Sequence, residues 1–207
     1  MRVIYQVLVN GLLTIVLTLF IVSCASIPEL KLHYQLPPPS DQLKGKNVFL
    51  EVEDARKTKE ILGQGAKQEF GNFVGNISLI VARHKETGFK IGLFKLTAMV
   101  KEGFKKRLAN AGLKVVAERS PGEPQLLIIL NDFVLDLVNR KWIAKMGYEA
   151  KLMKDGESLA TQIIEGEAER LKLIGRKEAD TVMGEIFTDM VNRLDLVKLF
   201  RQAGLAE

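Results

Sequence analysis

The stretch Gln125-Leu126-Leu127-Ile128-Ile129-Leu130-Asn131-Asp132-Phe133-Val134-Leu135-Asp136-Leu137-Val138 decides the fold. Its first half is an unbroken apolar run, the pattern of a strand buried on both faces. Its second half alternates, with Phe133, Leu135 and Leu137 recurring at every second position, the pattern of a strand with one buried face. Towards the C-terminus the alternation resumes. Trp142, Ala144, Met146, Tyr148, Ala150 and Leu152 interleave with Ile143, Lys145, Gly147, Glu149 and Lys151, so a second strand follows, and Trp142 and Tyr148 share its core face. Asp155-Gly156 is a hairpin signal, because both residue types tolerate positive φ. Leu159 to Leu171 then returns as a third strand.

Beyond it the period changes. Ala179, Val182, Met183, Ile186, Phe187, Met190, Val191, Leu194, Val197 and Phe200 recur every three to four residues and predict one long amphipathic helix. On the N-terminal side of the deciding stretch lie the turn Ser120-Pro121-Gly122-Glu123-Pro124 and a strand from Leu113 to Ala117. Before these, Leu93, Leu96, Val100, Phe104 and Leu108 trace another amphipathic helix, stopped by Gly112 with basic residues in its last turns. Ile77 to Ala82 reads as a strand ending at the turn Glu86-Thr87-Gly88. Residues 57–75, with Gly63, Gly65, Gly71 and Gly75, read as loop. Val48, Leu50 and Val52 alternate along a strand closed by Asp54-Ala55-Arg56. Strands joined by short turns, with two helices, imply an α+β two-layer sandwich: a mostly antiparallel or mixed sheet with two long amphipathic helices on one face.

The N-terminus has another logic. Arg2 is followed by a mostly apolar stretch, and from Leu12 to Val22 only Thr14 and Thr18 are polar. That is the layout of a signal peptide, and it is short for a membrane span, which needs roughly 20 apolar residues. The segment ends Ile21-Val22-Ser23-Cys24, which resembles a bacterial lipobox. A small residue at Ser23 suits a peptidase cleft, and the Cys24 thiol is the acceptor of lipid. Cys24 is the only cysteine, so the chain forms no internal disulfide. The expected organisation is a lipoprotein signal peptide over 1–23, a lipidated N-terminus and Pro-rich tether over 24–45 with Pro37-Pro38-Pro39, and a single periplasmic domain over 46–207. Leu30, Leu32, Tyr34 and Leu36 alternate within the tether, which also fits an edge strand laid on the domain. Ala25 after the cysteine favours the outer over the inner membrane. Cleavage removes a single charge from the net +5, leaving a mildly basic chain that suits an anionic lipid surface.

No catalytic constellation stands out. His33 and His84 have no sequence-adjacent partners, and the sole cysteine is assigned to lipid. Gly63-Gln64-Gly65 opens like a dinucleotide loop but has Gln68 where the third glycine belongs. Glu51, Glu53 and Asp54 cluster at a strand end, where water or Arg56 is the expected partner and not a metal. The expectation is therefore no catalytic residues, no metal, no cofactor and no nucleic acid. Phe70 and Phe73, in the glycine-rich segment, are the candidate partner-binding loop; the alternative is that they plug the edge of the core.

Taken together, the lipobox at Cys24, the proline-containing segment, the Val48–Val52 strand running into Asp54-Ala55-Arg56, the helix ending at Gly112, the Leu126–Leu130 strand and the terminal helix ending near Phe200 resemble the YajG-like family of bacterial lipoproteins. The resemblance covers roughly residues 24–204, and the Asp-x-Arg element is its sharpest motif. The loop after Arg56 and the turn at His84–Gly88 depart from it. It implies an envelope address and an α+β fold, and it carries over no catalytic residues. The expected function is a non-enzymatic accessory or scaffold of an envelope complex or transport system, held to the membrane by lipid on Cys24 and bound to an envelope protein. The alternative is a periplasmic carrier of lipid or a small hydrophobic ligand.

Overall fold

A computed structural model describes residues 27–206. Cys24, Ser23 and the rest of the signal segment lie outside the described residues. Eight strands are present in chain order: β1 (Leu30–Gln35), β2 (Asn47–Asp54), β3 (Ile77–Ala82), β4 (Phe89–Phe94), β5 (Lys114–Val116), β6 (Gln125–Val138), β7 (Lys141–Lys154) and β8 (Glu157–Leu171). The helices are α1 (Gln64–Phe70), α2 (Leu96–Asn110), α3 (Lys177–Arg193) and α4 (Leu196–Gln202).

The fold is α+β, but with two sheets. One runs β5-β2-β6-β7-β8, with β2 parallel to β5 and β6 and the rest antiparallel. The other runs β1-β3-β4. The long β6–β7–β8 meander turns twice on residues with positive φ, Asn139-Arg140 and Asp155-Gly156. Such turns match the right-handed twist of the strands. The inner face of β7 is the spine of the core: Trp142, Ala144, Met146, Tyr148, Ala150 and Leu152 are all buried. Its outer face carries cross-strand ion pairs, Lys145–Glu167 at 2.7 Å and Lys141–Glu169 at 2.7 Å, which explains the period of two. A register shift at Asn131 moves the inward positions of β6 from Leu126, Ile128 and Leu130 to Phe133 and Leu135.

Helices α2 and α3 cover the inner face. Phe104 of α2 meets Tyr148 edge-on at 5.2 Å, and the Tyr148 hydroxyl donates to the Met190 carbonyl of α3 at 2.9 Å. The helices approach closely at Gly103, where a Cβ would lie 2.5 Å from Phe187 Cζ.

Four elements differ from the sequence reading. The expected tether is largely part of the fold. β1 pairs in parallel with β3 and buries Leu30, Leu32 and Tyr34; the alternation was a strand signal that the prolines outweighed. The prolines dock too: Asn110 Nδ2 donates to the Pro37 carbonyl at 3.0 Å, and Leu43 is fully buried. The folded unit thus includes β1 and the segment after it, ahead of the expected start at Lys46. The glycine-rich loop contains α1, and Phe89–Phe94 forms a hairpin with β3 ahead of α2. The long terminal helix breaks at Leu194, whose ψ of 112° is extended, and Asp195 caps α4 by accepting from the Lys198 N–H at 2.9 Å.

The outer edge of β1 is closed by a helix. The Lys31 N–H donates to Asp180 Oδ1 at 2.9 Å and the Gln35 N–H to Thr188 Oγ1 at 3.1 Å; Asn192 Nδ2 donates to the Gln35 carbonyl at 2.9 Å. Asp180, Thr188 and Asn192 share one stripe of α3 with Gly184. A Cβ at Gly184 would sit 2.8 Å from the His33 carbonyl oxygen, so only glycine lets the helix lie this close to the strand.

Candidate functional site

The Asp54-Ala55-Arg56 motif ends β2, and its chemistry is structural. Arg56 Nε and Nη2 grip the two Asp54 carboxylate oxygens, each at 3.0 Å. Nη1 donates to the Glu60 and Phe133 carbonyls, and Nη2 also donates to the Lys59 carbonyl, all at 3.1 Å. All five guanidinium N–H groups are therefore used, and the fork ties the chain after β2 to β6. Burial raises the Asp54 pKa, but the hydrogen bonds and charge of Arg56, with Lys59, outweigh it and hold the carboxyl below its ordinary value. Glu51 accepts from Gln125 Nε2. Among the described residues no group of three histidine, cysteine or acidic side chains is placed to hold a metal ion.

The Gly63-x-Gly65 element does bind an anion, and that anion belongs to the chain. Asp136 Oδ1 accepts from the Gly65 N–H at 3.0 Å and the Ala66 N–H at 3.2 Å, at the first turn of α1. A Cβ on Gly65 would overlap the Leu137 carbonyl. The glycines thus serve close docking of α1 on β6.

Phe70 and Phe73, the candidate partner loop, point into the protein. Phe70 is buried and meets Trp142 at 6.1 Å and Phe73 at 5.7 Å, both edge-on, and Phe73 packs against the same core. The loop aromatics are core plugs, and an exposed Val74 stands beside them instead.

Two surfaces remain. The first is an open groove of about 800 Å³ between β1, β3 and α3. His33, Glu86, Glu185 and Asp189 stand along it beside Ile80 and Ala82, and more of its lining surface is apolar than polar. His33 is brought there from the expected tether; His84 lies apart, on the exposed turn before β4.

The second is the free edge of β8, a strand of 15 residues that pairs only with β7 among the described residues. Edges are ordinarily blunted by charge. Here Glu165, Glu167, Glu169 and Arg170 guard the C-terminal half, but Ser158 to Ile164 is free of charge, with Ile163 68% exposed. The sequence carried this signal as a seven-residue uncharged gap in an otherwise charged strand, legible only once the strand is known to lie at an edge. The turn between α3 and α4 braces this segment, Gln162 Nε2 donating to the Asp195 carbonyl at 2.8 Å.

No protein-family profile and no curated protein matches the sequence. Solved structures do match in shape. The crystal structure of protein XCC0632 from Xanthomonas campestris, of the family DUF330, aligns over 87% of this chain and 97% of its own with a TM-score of 0.56 at 15% identity. An uncharacterised protein aligns over 78% of this chain and 94% of its own, with a TM-score of 0.42 at 12% identity. A dodecameric PelC variant from Paraburkholderia phytofirmans aligns over 77% and 94%, with a TM-score of 0.32 at 6% identity. The first of these establishes a shared fold. Among the described residues no helix is long and apolar enough to cross a membrane.

Proposed function

We propose that this chain is a cell-envelope lipoprotein of the YajG-like kind, held to the outer membrane by lipid on Cys24 and facing the periplasm. Its folded part acts as a non-enzymatic accessory or scaffold that docks an envelope protein along β8. The observation that carries the docking is the uncharged edge from Ser158 to Ile164, which no further strand pairs with among the described residues. An extended partner segment adds a strand there, main-chain hydrogen bonds giving affinity and Ile163 giving side-chain contact. Lipid attachment raises the effective concentration of this edge for other membrane-bound chains. The alternative, a carrier of lipid or a small hydrophobe, needs an enclosed apolar cavity, whereas the groove beside α3 lies open to solvent with Glu86, Glu185 and Asp189 along it, which favours the scaffold.

Two measurements test the proposal. Intact mass of the membrane-fraction protein should show loss of residues 1–23 with added acyl mass, and Cys24→Ala should show neither. Ile163→Lys, on an exposed side chain, should abolish partner capture while leaving the fold intact. A purified native chain that carries a stoichiometric lipid and needs no β8 edge for its partners would refute the scaffold in favour of the carrier.

A further inference from the structure

Exposed apolar side chains gather at one end of the molecule. Ile27, 64% exposed, begins the described chain there, and Val74 and Leu93 stand exposed beside the start of β1. The neighbourhood is fixed by contacts: the Leu30 N–H donates to the Asn76 carbonyl, and Leu93 pairs with Ser78. The same end holds the β6–β7 hairpin tip and the exit from β8, where Val138, Leu171, Leu173 and Ile174 are exposed, Leu173 by 72% and Ile174 by 89%. Helix α3 joins the two groups, since its first turn holds Lys31 through Asp180 and Arg176 just before it lies over Phe70. Among the described residues, the other exposed large apolar side chains are Phe89, Leu159 and Ile163, which lie elsewhere.

The apolar tip is ringed by cations. Lys141 and Lys172 are paired with Glu169 and Glu69. Glu178 has a buried carboxylate oxygen, and Asp180 is turned to the Lys31 N–H. Arg140, at the hairpin tip, and Lys177, at the start of α3, form no ion pair among the described residues, so positive charge remains exposed beside the apolar groups.

We infer that this end is a membrane-contacting face, in which Leu173, Ile174, Leu171 and Val138 enter a phospholipid surface while Arg140 and Lys177 meet its phosphates. The inference rests on the lipid attachment at Cys24. Ile27 lies three positions after Cys24, a reach of about 10 Å at full extension, so an acylated Cys24 holds Ile27 within that distance of its lipid. The apolar tip and the point of anchoring coincide, which fixes the occupant as lipid and sets the orientation of the domain. Apolar side chains flanked by basic ones are the composition of an interfacial contact.

The test uses the full, acylated chain in vesicles of phosphatidylethanolamine and phosphatidylglycerol. With Cys24 acylated, Leu173→Cys and Phe89→Cys each supply one free thiol for a fluorophore. Nitroxide-bearing lipids should quench the label at position 173 several-fold more than the label at position 89, and Arg140→Glu with Lys177→Glu should reduce the difference. Equal quenching at the two positions in acylated, vesicle-bound protein overturns the inference. So does shielding of position 173 in native envelopes but not in pure-lipid vesicles, which would assign the face to a protein. An unacylated chain by mass is a separate failure, of the anchoring itself.

Discussion

Replacing Arg56 by alanine removes five side-chain hydrogen bonds at once, leaves the Lys59, Glu60 and Phe133 carbonyls without that donor, and leaves the Asp54 carboxylate only the residue-56 N–H and Lys59. Breaking a buried charge pair from one side costs about 3–5 kcal/mol. The Asp54 side chain retains 20% exposure and a cavity of about 390 Å³ adjoins Arg56, so water takes up part of the loss. The expected cost is the lower part of that range, about 3 kcal/mol. With a urea m-value of about 2 kcal/mol/M the unfolding midpoint falls by about 1.5 M. Arg56→Lys keeps the charge but not the fork, and should recover less than half of the loss. A second signature is the acid limb. Because Asp54 is held below its ordinary 3.8 in the folded state, its contribution is fully present above that pH and is lost as pH falls through the depressed value. In Arg56→Ala this part of the acid destabilisation should shrink to what the residue-56 N–H and Lys59 still supply. A midpoint within about 0.3 M of native, with an unchanged acid limb, would refute the assignment of Arg56 as the tie between β2 and β6.

Other substitutions probe the remaining joints. Gly184→Val forces a side chain against the β1 backbone and should cost about 1–3 kcal/mol, read as a fall in Tm of roughly 2–10 °C. Asp136→Ala leaves the Gly65 and Ala66 N–H groups without their acceptor and should cost about 0.5–2 kcal/mol, with faster amide exchange confined to α1. Asp180 behaves oppositely to Asp54: burial raises its pKa more than the Lys31 N–H, Arg176 and His33 lower it. Its contribution to stability is therefore fully present below the ordinary 3.8 and is lost as pH rises through the raised value. Asp180→Asn keeps an acceptor for Lys31 without the charge, so thermal melts at pH 7 should show equal or higher stability, whereas Asp180→Ala should show lower.

Much of the architecture was written in periodicity. The β6–β7–β8 meander, the core face of β7 and both long helices follow from alternation or three-to-four spacing alone, because each buries one face against a single layer. What failed did so for physical reasons. In β1 the signal was present, but three prolines next to it fit a spacer equally well; only pairing with β3, more than forty residues away in the chain, decides between them. Helix α1 has seven residues and four glycines in and around it, and it forms because Asp136 satisfies its first N–H groups, a contact invisible to local propensity. The break at Leu194 hid inside an apolar pattern that continues in phase across it. The exposed tip was invisible for a related reason: Leu171, Leu173 and Ile174 look like core residues in sequence, and only the fold shows that nothing of the described chain covers them.

The helix that closes the edge of β1 also sets a limit on that strand. Four residues of α-helix advance about 6.0 Å, whereas two residues of strand advance about 6.6 Å. The stripe of α3 and alternate residues of β1 therefore fall out of step by about 0.6 Å at each repeat. Over the span from Lys31 to Gln35 the slip is about 1.2 Å, which side chains as short as aspartate and threonine absorb. Over a strand as long as β7 it would reach about 3.6 Å, a whole hydrogen bond out of register. A helix can stand in for a missing neighbour strand only along a short edge, and β1, at six residues, is close to the longest edge this substitution serves.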